Sequence, residues 1–244
     1  KSFDKTKLRG RIYYYKKDAP FVIACHGYRG AALRDFSGGF RIDKKNNFNI
    51  LLIDERAHKK SGGHVITMGI KERKDLLCWI NYIVNRYGDE TKIILQGMSM
   101  GAATVLMCAS QLDIPSNVVA VTADCPYSSI KKEFQYNIKR SKGPSKFGYS
   151  LIWFGALLYG HINLSSCDLN KSIMNIKVPT LIVHGDGDTL VPSYFSEELK
   201  RISPYIERFT FPYAEHGMSF VSNEKRYEDI MTSFFNKVLE KNSD

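Results

Sequence analysis

Short apolar runs alternate along the chain with stretches in which apolar residues recur every three or four positions. Residues 21–25, 50–53, 92–95, 118–122, 180–183 and 208–211 have the length and continuous apolar character of strands covered on both faces. Between them, Leu76, Leu77, Ile80, Ile83, Val84 and Tyr87 share one helical face. An Ala-rich stretch at about 100–112 predicts a second helix. Tyr227, Ile230, Met231, Phe234, Phe235, Val238 and Leu239 predict a C-terminal helix, N-capped by Ser222 or Asn223. Strands alternating with helices give an α/β class: a mostly parallel central sheet with helices on both faces. Residues 8–17 add an antiparallel edge strand. Residues 128–172 break the alternation and read as a helical insertion over the strand ends, within one domain spanning 1–244.

Composition sharpens this picture by exclusion. A chain of 244 residues with 43% hydrophobic and 25% charged residues is globular, and long enough to bury a core without staples. Five cysteines, at 25, 78, 108, 125 and 167, are odd in number and contain no CxxC pair. They predict neither a disulfide framework nor a zinc site, and no metal site is expected. The net charge of +10 is spread along the chain without a nucleic-acid motif, so it predicts a solvated basic surface and no nucleic-acid partner. Residues 147–164 lack Asp, Glu, Lys and Arg, the lower edge of a membrane-spanning length. Their Gly, Ser, His and Asn content points instead to buried or lid structure. The chain begins at Lys1, not Met, so a preceding segment is expected, of a nature the sequence does not give; the location is cytoplasmic, or membrane-anchored by that segment.

In parallel sheets the chemistry gathers at the carboxyl ends of the strands. The third buried run ends in Gly97-Met98-Ser99-Met100-Gly101, a G-x-S-x-G between a strand and a small-residue helix. That setting predicts a nucleophile elbow presenting the Ser99 hydroxyl. A serine needs a base, and the base an orienting carboxylate. The order Ser, Asp, His places the acid near Asp186 and Asp188 and the base at His216, ahead of the last helix. Asp188 is favoured as the acid, with Asp186 a turn residue capping its own backbone and Asp124 satisfying loop amides. His26 and His184 look structural. His58 and His64 precede the serine, and His161 lies in the insertion. Two backbone amides, of Tyr28 after the first buried strand and of Met100 after the serine, are expected to hold a developing oxyanion.

With His26-Gly27, Asp54-Glu-Arg56-Ala-His58, the Ser99 elbow, Asp124-Cys-Pro-Tyr127, His184-Gly and His216-Gly217, residues 8–240 resemble an α/β-hydrolase-fold serine hydrolase of the bacterial YqkD-like group. The resemblance implies carboxylesterase-type activity without a cofactor, a cap, a Ser99–Asp188–His216 triad, and Tyr28 and Met100 as oxyanion donors. One departure stands out. Ala57 and Lys59 replace two glycines of the usual Asp-x-Arg-Gly-His-Gly-x-Ser pattern, which predicts a changed loop backbone.

Hydrolysis of a small-molecule carboxylic ester is the leading function. Peptidase or amidase, acyltransferase or thioesterase, and non-catalytic binding are the alternatives. Aromatic side chains of the insertion are expected to wall a pocket for an apolar acyl or aryl group. Lys139, Arg140, Lys142 and Lys146, beside the uncharged run, suggest a lid in peripheral contact with an anionic membrane.

Overall fold

The computed structural model describes residues 1–166 and 168–241; Cys167 and the last three residues of the expected domain lie outside the described residues. Seven strands form one sheet in the order β1-β3-β2-β4-β5-β6-β7. They are β1 (Arg9–Tyr13), β2 (Phe21–Cys25), β3 (Asn49–Asp54), β4 (Ile93–Met98), β5 (Val118–Asp124), β6 (Thr180–Gly185) and β7 (Ile206–Phe211). The edge strand β1 runs antiparallel to β3, and every other pairing is parallel.

Alternation along the strands divides the core. Phe21, Ile23, Cys25, Ile93 and Leu95 face one side, where α3 (Glu72–Tyr87) and α4 (Met100–Ala109) pack. Val22, Ile94, Leu181 and Val183 face the other, against α2 (Ser37–Lys45) and α10 (Glu224–Lys241). All ten residues of α4 are buried, as a helix apolar on every side requires. The cap of α10 is Asn223, whose Oδ1 accepts the Arg226 amide at 3.0 Å. The remaining helices are short connectors, α1 (Ala32–Asp35), α8 (Tyr194–Ile202) and α9 (Ser219–Ser222), or belong to the insertion.

That insertion, between β5 and β6, folds as α5 (Ile130–Arg140), α6 (Ser145–Gly160) and α7 (Leu169–Ser172). The uncharged run 147–164 is mostly α6, and among the described residues no helix is long and apolar enough to cross a membrane. α5 holds the loop after β6: Asn137 Nδ2 donates to Leu190 O at 3.2 Å, and Arg140 donates to Thr189 O at 3.0 Å.

Candidate active site

At the carboxyl end of β4 the chain turns sharply into α4 with Ser99 at φ 55° and ψ −116°, outside the usual regions for a residue with a side chain. The turn demands its flanking glycines. A Cβ on Gly97 would lie 2.3 Å from Gly101 O, and one on Gly101 would lie 1.9 Å from Cys25 O. Ser99 N donates to Asp124 O at 2.8 Å, which ties the strained residue to the neighbouring strand.

The loops after β6 and β7 bring two side chains to this serine. His216 Nε2 lies 2.8 Å from Ser99 Oγ, and His216 Nδ1 lies 2.7 Å from Asp188 Oδ2. The other carboxylate oxygen, Asp188 Oδ1, accepts the amides of Leu190 at 2.9 Å and Val191 at 2.8 Å, so the carboxylate cannot rotate freely. Burial pushes the Asp188 carboxyl up, but hydrogen bonds from His184 and His216 and the charge of His216 carry it well below the usual carboxylate range. An ionised Asp188 assigns the His216 proton to Nδ1, leaving the Nε2 lone pair facing the Ser99 hydroxyl.

The competing acids do other work. Asp124 lines the same cavity but reaches no loop amide. It accepts hydroxyl bonds from Ser219 at 3.3 Å and Tyr227 at 3.2 Å, and burial pushes its carboxyl up to about 6. Asp186 accepts the amide of Tyr213, so it braces the loop after β7 and does not cap its own backbone. Both expectations are corrected for one reason: their partners come from distant segments.

Tyr28 sits on the turn closed by Gly30 N to Gly27 O at 2.9 Å, and it lines the cavity with Ser99. Met100 is the first residue of α4, where amides have no partner inside the helix. The Gly27–Gly30 turn has supports that sequence reasoning missed. Asp35 Oδ2 accepts the Gly27 amide at 3.0 Å, and His58 Nε2 accepts the Arg29 amide at 3.0 Å. His26 Nδ1 donates to Gly27 O at 2.8 Å, and its Nε2 accepts the Glu55 amide. His58 carried a signal in the Asp54–Ser61 motif, whereas Asp35 carried none.

The motif loop itself overturns one expectation. Ala57 and Lys59 keep the left-handed backbone that glycine would adopt, at φ 58° and φ 48°. Tertiary bonds impose it: Ala57 N donates to Gly62 O at 2.8 Å, and Arg56 is locked bidentate to buried Asp75 with both bonds at 2.6 Å.

A cavity of about 450 Å³ opens at Ser99 and His216. Phe36, Met98, Phe220 and Val221 give it apolar walls, while Gln96, Thr122 and Asp124 give it a polar floor. Gln96 Oε1 and Thr122 Oγ1 are buried there without a hydrogen-bond partner. Among the described residues, none from the insertion lines this cavity, contrary to the expected aromatic wall. Phe134, Tyr136, Tyr149 and Trp153 turn into the core, and Phe147, Phe154 and Tyr159 turn to solvent.

The Cys125 thiol lies within 4.8 Å of both Asp188 and His216 ligand atoms. Burial, followed by the charges of Asp124 and Asp188, holds that thiol well above its ordinary value. A protonated thiol is a poor metal ligand, and both ring nitrogens of His216 are already engaged.

No protein-family model matches the chain. Among curated proteins it is 25% identical to YqkD of Bacillus subtilis over 220 residues, 89% of this chain and 71% of YqkD. It is 30% identical to the AB hydrolase superfamily protein YisY of the same organism over 128 residues, 51% of this chain and 47% of YisY. Among solved structures, the esterase Pf2001 of Pyrococcus furiosus superposes with a TM-score of 0.78 at 24% identity, over 97% of this chain and 90% of that one. By sheet order, helix placement and these similarities, the chain has the α/β-hydrolase fold.

Proposed function

We propose that this chain is a serine hydrolase that cleaves small-molecule carboxylic esters through an acyl-enzyme on Ser99. One observation carries the reading: the unbroken chain of bonds from Ser99 Oγ to His216 to Asp188, at 2.8 and 2.7 Å. Support also comes from the esterase Pf2001, which shares the fold.

In this reading His216 Nε2 takes the Ser99 proton as Oγ attacks the ester carbonyl. The amides of Tyr28 and Met100 receive the oxyanion of the tetrahedral intermediate. The ionised Asp188 stabilises the imidazolium, which returns its proton to the departing alkoxide as the C–O bond breaks. A water then gives its proton to His216, attacks the acyl carbonyl and releases the acid, restoring Ser99. One water is consumed per ester, and the cycle requires no cofactor. The apolar walls suit an apolar acyl or aryl group. Residues 128–172 act as the cap of this single domain, beside the cavity.

Rapid mixing with a p-nitrophenyl ester tests the proposal. A burst of about one p-nitrophenolate per protein, absent in Ser99→Ala, is expected. Amide and thioester analogues of the same acyl group identify the preferred bond. A protein that releases no alcohol from any ester of a graded panel contradicts the proposal.

A further inference from the structure

Helix α6 is apolar on all sides, yet among the described residues only one of them is covered. Tyr149, Trp153, Ala156 and Gly160, spaced four, three and four residues apart, turn toward the domain; Tyr149 is buried, and Trp153 and Ala156 pack against the core. Phe147, Leu151, Phe154 and Leu158 repeat the same spacing on the opposite face and are 65%, 57%, 58% and 52% exposed. Leu157 and Tyr159 widen this stripe. An all-apolar helix belongs in a core or an apolar phase, and four large side chains in one exposed row are costly in water. The stripe contributes nothing to the cavity at Ser99, so substrate binding does not explain it.

The surroundings identify what covers it. Lys139 at the end of α5, Lys142 in the turn that follows and Lys146 in the first turn of α6 are all exposed. A groove beside the helix is lined by Lys131 and Lys146 together with Trp153 and Phe154, cation next to aromatic. No Asp or Glu occurs between Glu133 and Asp168. A second copy of the chain fits this face poorly, because a two-fold contact would bring like-charged clusters together. An apolar stripe bordered by unopposed lysines suits an anionic bilayer, with the side chains among the acyl chains and the ammonium groups at the phosphates.

We propose that the outer face of α6 docks this protein on anionic membrane surfaces. The inference stands independently of the chemistry at Ser99. Sedimentation of the full chain with phosphatidylcholine vesicles, with and without a quarter of phosphatidylglycerol, tests it. Binding to the anionic vesicles, weaker at physiological than at low salt, is expected. Lys139→Gln, Lys142→Gln and Lys146→Gln together should weaken it about 100-fold, from about 1 kcal/mol per cation. Leu151→Ser with Phe154→Ser should also release the protein, without loss of circular dichroism or of short-chain ester hydrolysis. Protein left in the supernatant with both vesicle types overturns the proposal. So does binding that survives both variant sets, or a change in oligomeric state, and not in vesicle binding, on removing the apolar stripe.

Discussion

Replacing Asp188 by Asn tests the site at the point where geometry makes the sharpest demand. Asp188 Oδ1 is held by two donors, the amides of Leu190 and Val191. The asparagine must therefore place its carbonyl oxygen there and turn its NH₂ toward His216 Nδ1. A donor at that point requires Nδ1 to accept, which moves the imidazole proton to Nε2, facing Ser99. The base then has no lone pair for the serine proton, and the imidazolium loses its counter-charge. Both effects together should lower kcat about 10⁴-fold, or about 5.5 kcal/mol of barrier. Asp124→Asn retains an acceptor for its hydroxyl partners and Asp186→Asn one for the Tyr213 amide, so each should cost less than about tenfold. Steady-state hydrolysis of p-nitrophenyl butyrate, with thermal melts to verify folding, compares all three. If Asp124→Asn is the most damaging, or if folded Asp188→Asn loses less than tenfold, the orientation of His216 has been misread.

Three further outcomes follow from packing and electrostatics. Ala57→Gly and Lys59→Gly should each stabilise the protein by about 0.5–1 kcal/mol, since a left-handed residue costs about 1–2 kcal/mol and glycine's unfolded-state entropy returns about half; melts showing destabilisation by both contradict the loop geometry. Gln96→Met with Thr122→Val removes the two unpartnered acceptors from the cavity floor and should raise kcat/KM for long-chain over acetyl esters about three- to tenfold, read from an acyl-length series. Burial pushes the Asp43 carboxyl up from 3.8 to about 8, so the native state holds this proton while the unfolded chain releases it. Stability from this group is therefore fully present below about pH 4 and declines up to about pH 8, by at most about 6 kcal/mol. Asp43→Asn should flatten that decline in urea titrations across the range.

The parts legible in the sequence were those dictated by periodicity and chain order. Five buried strands, the edge strand β1 and helix α10 follow from residue patterns that local structure and burial both favour, whereas the sixth run, β7, lies at the other sheet edge and is only partly buried, with Phe209 exposed. Ser99, Asp188 and His216 meet because β4, β6 and β7 fall within four consecutive parallel strands, β4-β5-β6-β7, whose carboxyl ends share one edge of the sheet. What the sequence concealed depends on contacts between distant segments. Asp186 bonds the Tyr213 amide, and Asp124 bonds hydroxyls from the chain after β7. Neither partner is signalled by spacing. Ala57 and Lys59 show local preference overruled, because anchors on both sides leave the loop only a left-handed path. The insertion's aromatic residues indicated a lid, but composition alone could not show which helix face met the core.

Labelling with a fluorophosphonate probe tests the central claim most directly, because only an activated serine beside an oxyanion site reacts rapidly. Digestion and mass spectrometry should locate one probe adduct per chain, on the peptide carrying Gly97-Met98-Ser99-Met100-Gly101, with labelling abolished in both Ser99→Ala and His216→Ala. An adduct on another serine, or undiminished labelling of the Ser99→Ala protein, would contradict the account.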